Sequence, residues 1–369
     1  MMKLLILGAG FAGCSAAHLL KKKGFEITVL ERAKLPGGGC RTNWYGGHPY
    51  TFGPRIFFTR DEEVIKVMTG LVKIRQFYNK TWTYVAEDGQ FYNYPIFAND
   101  LSRMPDWPEI KKQLAQRKDK TPSVQSFEAY WLQAIGPNLY HKFVDRYSKK
   151  MWGIESNRDL SANFNWVNRG NPIRQKDARL YEDMFQGYPV APDGYNQFFA
   201  KALKGCRFIP ECEIESFDAK SRKVKTSKGE FTGQVIINTV SVDGLFKNVF
   251  GVLRYCGRKF LKIVLPVEKV LPKDLVWIHY AGEEPFTRVT EFKKITNHKS
   301  RDTLLGVEMP ALQGQYYPVQ TEEEILRFKK YQELFPKNFY SIGRLGSFMY
   351  KGIPDDIRDA LDMVKKITD

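Results

Sequence analysis

Gly8-Ala9-Gly10-Phe11-Ala12-Gly13 is a G-x-G-x-x-G run set between a short apolar stretch, Lys3–Leu7, and a stretch of helical spacing, Ala12–Lys22. That placement admits few architectures. The first glycine allows a tight turn, the second lets a pyrophosphate approach the backbone, and the third lets helix and strand pack closely. The helix N-terminus adds free amides and a partial positive charge. A second β-branched run, Phe25–Leu30, ends at Glu31, an acid spaced to accept hydrogen bonds from a ribose. Gly8, Gly10, Phe11, Ala12, Gly13 and Glu31 are therefore expected to hold a dinucleotide. These residues leave NAD and FAD both open. Arg32 and the Gly37-Gly38 pair favour FAD, because a second glycine turn can lie beside the pyrophosphate. The late Gly343-Arg344-Leu345-Gly346 would return a strand end and a guanidinium to the same crevice.

The chain has 369 residues, 43% of them hydrophobic and 14% aromatic, which is ample for a core and excludes disorder. Its 57 Lys and Arg against 41 Asp and Glu give a net charge of +16, which favours an anionic partner. The basic residues are scattered without a recognition motif, so nucleic acid is not the expected partner. Five cysteines with no C-x-x-C pair exclude a disulfide framework and a zinc ribbon, and a reducing cytoplasm is the expected setting. The first apolar run is too short for a signal sequence, and none reaches the about 20 residues of a membrane span. The five histidines, His18, His48, His141, His279 and His298, form no triad or metal pattern, so no metal is expected.

The texture changes along the chain. Residues 98–150 are long, charged and helical in period, whereas 246–314 carry short β-branched and aromatic runs such as Leu261–Leu265 and Leu275–Tyr280. From Tyr316 the α/β texture returns, with a strand at Phe339–Ile342, a turn at Gly343–Gly346 and a helix at Asp355–Lys366. The expected architecture is α/β: a Rossmann-like FAD-binding domain with an inserted helical domain and an antiparallel β-sheet domain. The first is assigned 1–75, 186–245 and 315–369, the second 98–150, and the third 76–97, 151–185 and 246–314, with a mobile lid around 165–180.

Further segments occur in a fixed order: Gly53-Pro54-Arg55-Ile56-Phe57-Phe58-Thr59, Tyr147-Ser148-Lys149-Lys150-Met151-Trp152-Gly153, Phe185-Gln186-Gly187, Pro285-Phe286-Thr287-Arg288 and Tyr316-Tyr317-Pro318. With these and the closing glycine-arginine motif, the chain from Leu4 to Ala360 resembles the UDP-galactopyranose mutases, flavoenzymes that interconvert pyranose and furanose forms of a nucleotide sugar. The resemblance implies an isomerase with FAD, active in its reduced form, whose N5 attacks the anomeric carbon while the diphosphate leaves and returns. It also implies a UDP or dTDP sugar as substrate, NAD(P)H or another reductant, and a homodimer. Arg174 and Arg288 match the arginines that clamp the diphosphate, and Tyr317 and Tyr350 match tyrosines that bond it. Phe143 and Tyr147, four apart on a helical stretch, match the aromatics that stack on uracil, with Trp152 close by. Phe185 falls in one of the matching segments, and Asn79 and Glu308 match polar residues near the sugar.

The departures cluster at the sugar end. Arg55 and Phe58 stand where the commoner pattern has two histidines, Gly352 where it has an aspartate, and His279 where it has an asparagine. A pocket that bonds a hydroxyl rejects an analogue lacking it sharply, so this change of lining implies a modified galactose, N-acetylated or 6-deoxy. The competing expectation from the FAD fingerprint alone is an oxidoreductase of the amine-oxidase type.

Overall fold

The computed structural model describes residues 2–117, 126–161, 172–179 and 183–368. The strands that position the site are, in chain order, β1 (Lys3–Leu7), β2 (Glu26–Leu30), β3 (Lys80–Val85), β4 (Gln90–Tyr94), β5 (Arg207–Ile209) and β6 (Val235–Asn238). They continue with β7 (Tyr255–Leu265), β8 (Leu275–Tyr280), β9 (Arg288–Glu291), β10 (Thr303–Ala311), β11 (Tyr317–Pro318) and β12 (Phe339–Ser341). Three helices matter most: α1 (Phe11–Lys21), α2 (Arg146–Trp152) and α3 (Ile353–Thr368).

A parallel sheet in the order β5-β2-β1-β6-β12 forms the nucleotide-binding layer. Strand β1 is a continuous apolar run because both of its faces are covered. Leu4 and Ile6 pack with α1 and α3, whereas Leu5 and Leu7 pack with Cys212, Phe217, Val224 and Leu245 on the other side. Helix α1 is rich in Ala and Gly and lies against α3, whose apolar positions Ile357, Ala360 and Val364 face the same core. The Gly343–Gly346 segment winds as one helical turn rather than an open turn, and α3 begins at Ile353, with Pro354 in the first turn where its missing N–H costs nothing.

The second layer is a seven-stranded sheet in the order β11-β7-β10-β9-β8-β3-β4, antiparallel except for the β8–β3 pair. Its registers decide the site. His279 lies opposite Arg288, Arg288 opposite Glu308, and Arg258 opposite Pro310, two residues along from Glu308. Side chains alternate along a strand, so Trp277, His279, Arg288, Glu308 and Arg258 all project from one face.

Helices cover part of that sheet: 98–101, 107–115, 127–135 and 137–140, then a π turn at His141–Asp145 that runs straight into α2. Buried Lys142 ties this layer to the β3–β4 turn through Asp88, and it also pairs with Asp106 at 3.3 Å. Lys150 caps the loop after β8, its Nζ donating to the carbonyls of Tyr280, Gly282 and Glu284 at 2.9 Å each. A charge tied this way has little freedom to move. Helix α2 is thereby fixed over the sheet.

Candidate active site

The glycine run forms a cradle at the C-terminal ends of β1 and β2. Gly8 has a φ of +98°, a conformation closed to most side chains, and a methyl group at Gly13 would lie 2.1 Å from the Gly8 carbonyl oxygen. Both positions demand glycine. Around Gly10, by contrast, a methyl group would meet nothing within 4 Å, so the backbone there faces open space. The second glycine turn lies alongside, with Gly37 N–H donating to the Ala9 carbonyl at 2.8 Å. Glu31 is buried, and its two carboxylate oxygens accept from the amides of Ala9 and Ala33 at 2.8 and 2.9 Å. It stitches the turn to the end of β2 and keeps a lone pair on each oxygen for ribose hydroxyls. The Phe11 ring turns into the core against Tyr195, Phe198 and Phe199, and Ala12 packs beneath Gly343, so both offer only backbone to a phosphate. Arg32 is exposed at the rim. A slot between two glycine turns, opening at a helix N-terminus, fits the pyrophosphate of a dinucleotide.

The slot continues into a cluster of arginines. A methyl group at Gly39 would lie 3.3 Å from Tyr316 and 3.9 Å from the Arg55 guanidinium, and one at Gly53 would meet Glu308, Arg288 and Arg55 within 4 Å. Arg288 donates to Glu308 Oε2 from Nη2 at 2.6 Å and from Nε at 3.2 Å, while Arg258 Nε reaches Glu308 Oε1 at 3.3 Å. Burial alone would push the Glu308 carboxyl up, but Arg288 and Arg258 outweigh it and hold the group below the usual carboxylate range. One Nη of Arg258 and the Nε of Arg55 are buried with no hydrogen-bond partner. Both carboxamide atoms of Asn79, which is 1% exposed, are also unpaired. Unpaired buried polar groups are costly, so such orphans mark where a ligand completes the structure.

Tyr317 stands among the guanidiniums of Arg258 and Arg344, each 4.7 Å from its ring centre, and Arg55 at 6.0 Å. Burial would raise its phenol; Arg55, Arg344 and Arg258 overcome that and the opposing Glu308, leaving it below the ordinary tyrosine range. Tyr350 stacks on Tyr317 at 5.4 Å, and Trp152 meets both rings edge-on at 6.1 and 5.8 Å. Arg344 is held by carbonyls, donating to those of Lys351 and Tyr316, so its charge is fixed in place. Asp356 lies near it; burial pushes its carboxyl up to about 7 against the pull of Arg344 and Lys351. The crevice thus holds four guanidiniums, one firmly ionised carboxylate and a second only partly ionised at neutral pH.

Tyr147 enters the same region from α2 beside His279, at 3.1 Å from its Nδ1. Phe143 turns instead toward Tyr92 within the helical layer, so the two aromatics separate: one borders the cluster, the other packs at 3% exposure. Phe185 sets its ring against Phe57, and half-buried Phe58 lies opposite Gln186 across the strands. Arg174 is half-buried on a two-residue strand beside Phe97, while half of the segment expected to act as a lid lies outside the described residues. Among the described residues no His, Cys, Asp and Glu cluster could hold a metal, and no helix is long and apolar enough to cross a membrane.

Two participants escaped the sequence reading. Arg258 lies near the start of a strand that also carries Lys259 and Lys262, and nothing local distinguishes its inward-facing charge from theirs. Trp277 reads in the sequence as one apolar position of β8, although the alternation Trp277-Ile278-His279 sets its ring on the same face as the histidine.

The UDP-galactopyranose mutase family model matches residues 142–350, and an NAD(P)-binding Rossmann-like domain model matches residues 6–71. The dTDP-fucopyranose mutase of Escherichia coli is 28% identical over 98% of this chain and 97% of its own. A probable UDP-galactopyranose mutase of Klebsiella pneumoniae is 24% identical over 97% and 92%. A crystal structure of reduced UDP-galactopyranose mutase superposes with a TM-score of 0.83 at 17% identity, covering all of this chain and 94% of that one.

Proposed function

Since the chain belongs to the UDP-galactopyranose mutase family and is an isomerase of nucleotide sugars with FAD as cofactor, we propose that its substrate is a dTDP-linked 6-deoxyhexopyranose of the fucose type. The likeness to a dTDP-fucopyranose mutase along nearly the whole of both chains supports the deoxy sugar. Phe58 and Gly352, where the family has a histidine and an aspartate, support the same reading. Each replaces a hydrogen-bonding side chain by one that offers a sugar hydroxyl no partner.

One observation carries the proposal: Arg258 and Arg288 share a single buried carboxylate, Glu308, with Arg55 lying beside them, and guanidinium nitrogens of Arg55 and Arg258 are left unpaired. Such an excess of fixed positive charge calls for a ligand with at least two negative charges. A nucleoside diphosphate is that ligand. When bound, reduced flavin would supply the nucleophile for the anomeric carbon. The protein's own residues hold the diphosphate while it carries the charge of a leaving group, so that its return is intramolecular. Arg258 and Arg288 meet it with charges that cannot be lost at neutral pH, and Glu308 offsets their mutual repulsion before substrate arrives. Tyr317, with its acidic phenol, donates to a phosphate oxygen; Tyr350 and Trp152 wall the site against water. Asn79 supplies donor and acceptor to sugar hydroxyls, Arg174 closes on the diphosphate, and Tyr147 borders the base or phosphate end. An amine-oxidase-type enzyme would have no use for three guanidiniums around one carboxylate.

The test is turnover of FAD-loaded enzyme, with and without dithionite, on dTDP-fucopyranose, UDP-galactopyranose and UDP-N-acetylgalactosamine. The expected result is furanose product from dTDP-fucopyranose with the highest kcat/KM, and only under reduction. A tenfold preference for UDP-galactopyranose would refute the deoxy-sugar assignment, and turnover by fully oxidised enzyme would refute the flavin chemistry.

A further inference from the structure

His279 is enclosed on the site face of the seven-stranded sheet. Tyr94 from β4 and Tyr147 from α2 meet its ring edge-on at 5.3 Å each, and Trp277 meets it at 6.1 Å. Arg288 of β9 sits opposite in register. Trp277 Nε1 donates to His279 Nε2 at 2.8 Å, and His279 Nδ1 lies 3.1 Å from the Tyr147 hydroxyl.

These contacts fix the tautomer. An indole N–H can only donate, so Nε2 must be the unprotonated nitrogen and the ring proton sits on Nδ1. Nδ1–H then donates to the Tyr147 oxygen, which acts as acceptor and turns its own proton away from the histidine. A doubly protonated ring would set N–H against the indole N–H and a cation opposite Arg288. None of the facing groups, Tyr94, Tyr147, Trp277 and Arg288, is a carboxylate that would favour that form.

We propose that His279 is a positioning residue whose Trp277-fixed tautomer makes Tyr147 a hydrogen-bond donor toward the phosphate oxygens of the bound nucleotide. The acceptor, though not the tautomer, rests on the substrate reading above. Burial and Arg288 both push the imidazole well below its usual range, in keeping with a ring that stays neutral. Without the indole, the ring is free to carry its proton on Nε2. Nδ1 would then accept from Tyr147 and withdraw the phenolic proton from the ligand.

The experiment has two arms, both on FAD-loaded enzyme. In the first, 15N-histidine labelling, with His279→Asn to assign the signal, reads the tautomer. The expected result is a protonated Nδ1 that does not titrate between roughly pH 5 and 8. In the second, calorimetric titration with dTDP and UDP compares the wild type with Trp277→Phe, Tyr147→Phe and the double variant. Each single change should weaken binding about tenfold, the scale of a hydrogen bond to a charged acceptor, and the double variant should be no weaker than either alone. A protonated Nε2, or a ring that titrates in that range, overturns the proposal and leaves the substrate reading intact. Additive losses in the double variant also overturn it. If the tautomer is as expected but the wild type binds neither nucleotide, the substrate reading falls, and the phosphate half of the proposal with it.

Discussion

Replacing Glu308 by Gln keeps the shape of the side chain and removes the charge on which two arginines converge. Glu308 is 2% exposed and accepts two bonds from Arg288 and one from Arg258. Removing one partner of a buried pair costs about 3–5 kcal/mol, because the remaining charge is left uncompensated. The glutamine carbonyl, standing where Oε2 does, can still accept both bonds from Arg288, and the Arg288 side chain is 16% exposed, so water offsets part of the loss. The expected cost is therefore about 3 kcal/mol, at the low end of that range. At about 2.1 cal/mol/K of unfolding entropy per residue, a lowering of Tm by about 4 °C follows for 369 residues. The deficit should shrink when a nucleoside diphosphate returns negative charge to the cluster, so dTDP should raise the Tm of the variant more than that of the wild type. The pH dependence has a definite sign. Because the folded-state carboxyl lies below its ordinary value, its contribution is fully present above the unfolded pKa of about 4.3 and is lost as pH falls through the folded value. The gap between the two proteins should thus stay constant from neutral pH down to weak acid and close only below that. Differential scanning calorimetry across pH, with and without dTDP, measures all of this. A variant as stable as wild type without nucleotide, or one that gains less from dTDP, would refute the charge-excess argument.

Gly13→Ala should yield folded protein with little flavin, read as a lowered ratio of flavin to protein absorbance, because the new methyl would strike the Gly8 carbonyl. Wild-type flavin content in that variant would show that the turn is not held as described. Asp356→Asn should stabilise the protein increasingly as pH rises from about 4 toward 7. The folded carboxyl binds its proton more tightly than the unfolded one, so ionisation there costs stability that the amide does not pay. A difference in Tm that stayed flat across that window would contradict the burial of Asp356.

The nucleotide cradle was legible in the sequence because everything it needs is local. Gly8, Gly10 and Gly13 are spaced by the turn itself, and Glu31 follows at the end of the adjoining strand. The arginine cluster was legible only in part. Arg288 and Glu308 were named through resemblance, but their pairing depends on the register of β9 against β10, which no local pattern encodes. Arg258 depends on a further register, that of β7 against β10, and in the strand it stands beside exposed Lys259, a charge of the same sign. Phe143 and Tyr147 looked equivalent at a spacing of four, yet a π turn ends at Asp145 between them, and their rings face different partners. Helical spacing predicts which residues are neighbours along the helix and says nothing of what lies across from it.

The parallel sheet also fixes the order in which this protein can be made. Strand β1 is made before the other strands of its sheet, but one of its neighbours, β6, is Val235–Asn238, and β6 in turn borders β12 at Phe339–Ser341. The helix that packs on α1 comes later still, at Ile353–Thr368. A nascent chain therefore carries its glycine turn without the rest of its layer until β6, β12 and α3 have been made, with an apolar strand open on one edge. Cofactor loading must wait for β12 and α3, and shortening the chain before β12 would abolish flavin uptake while leaving Gly8, Gly10 and Gly13 in place.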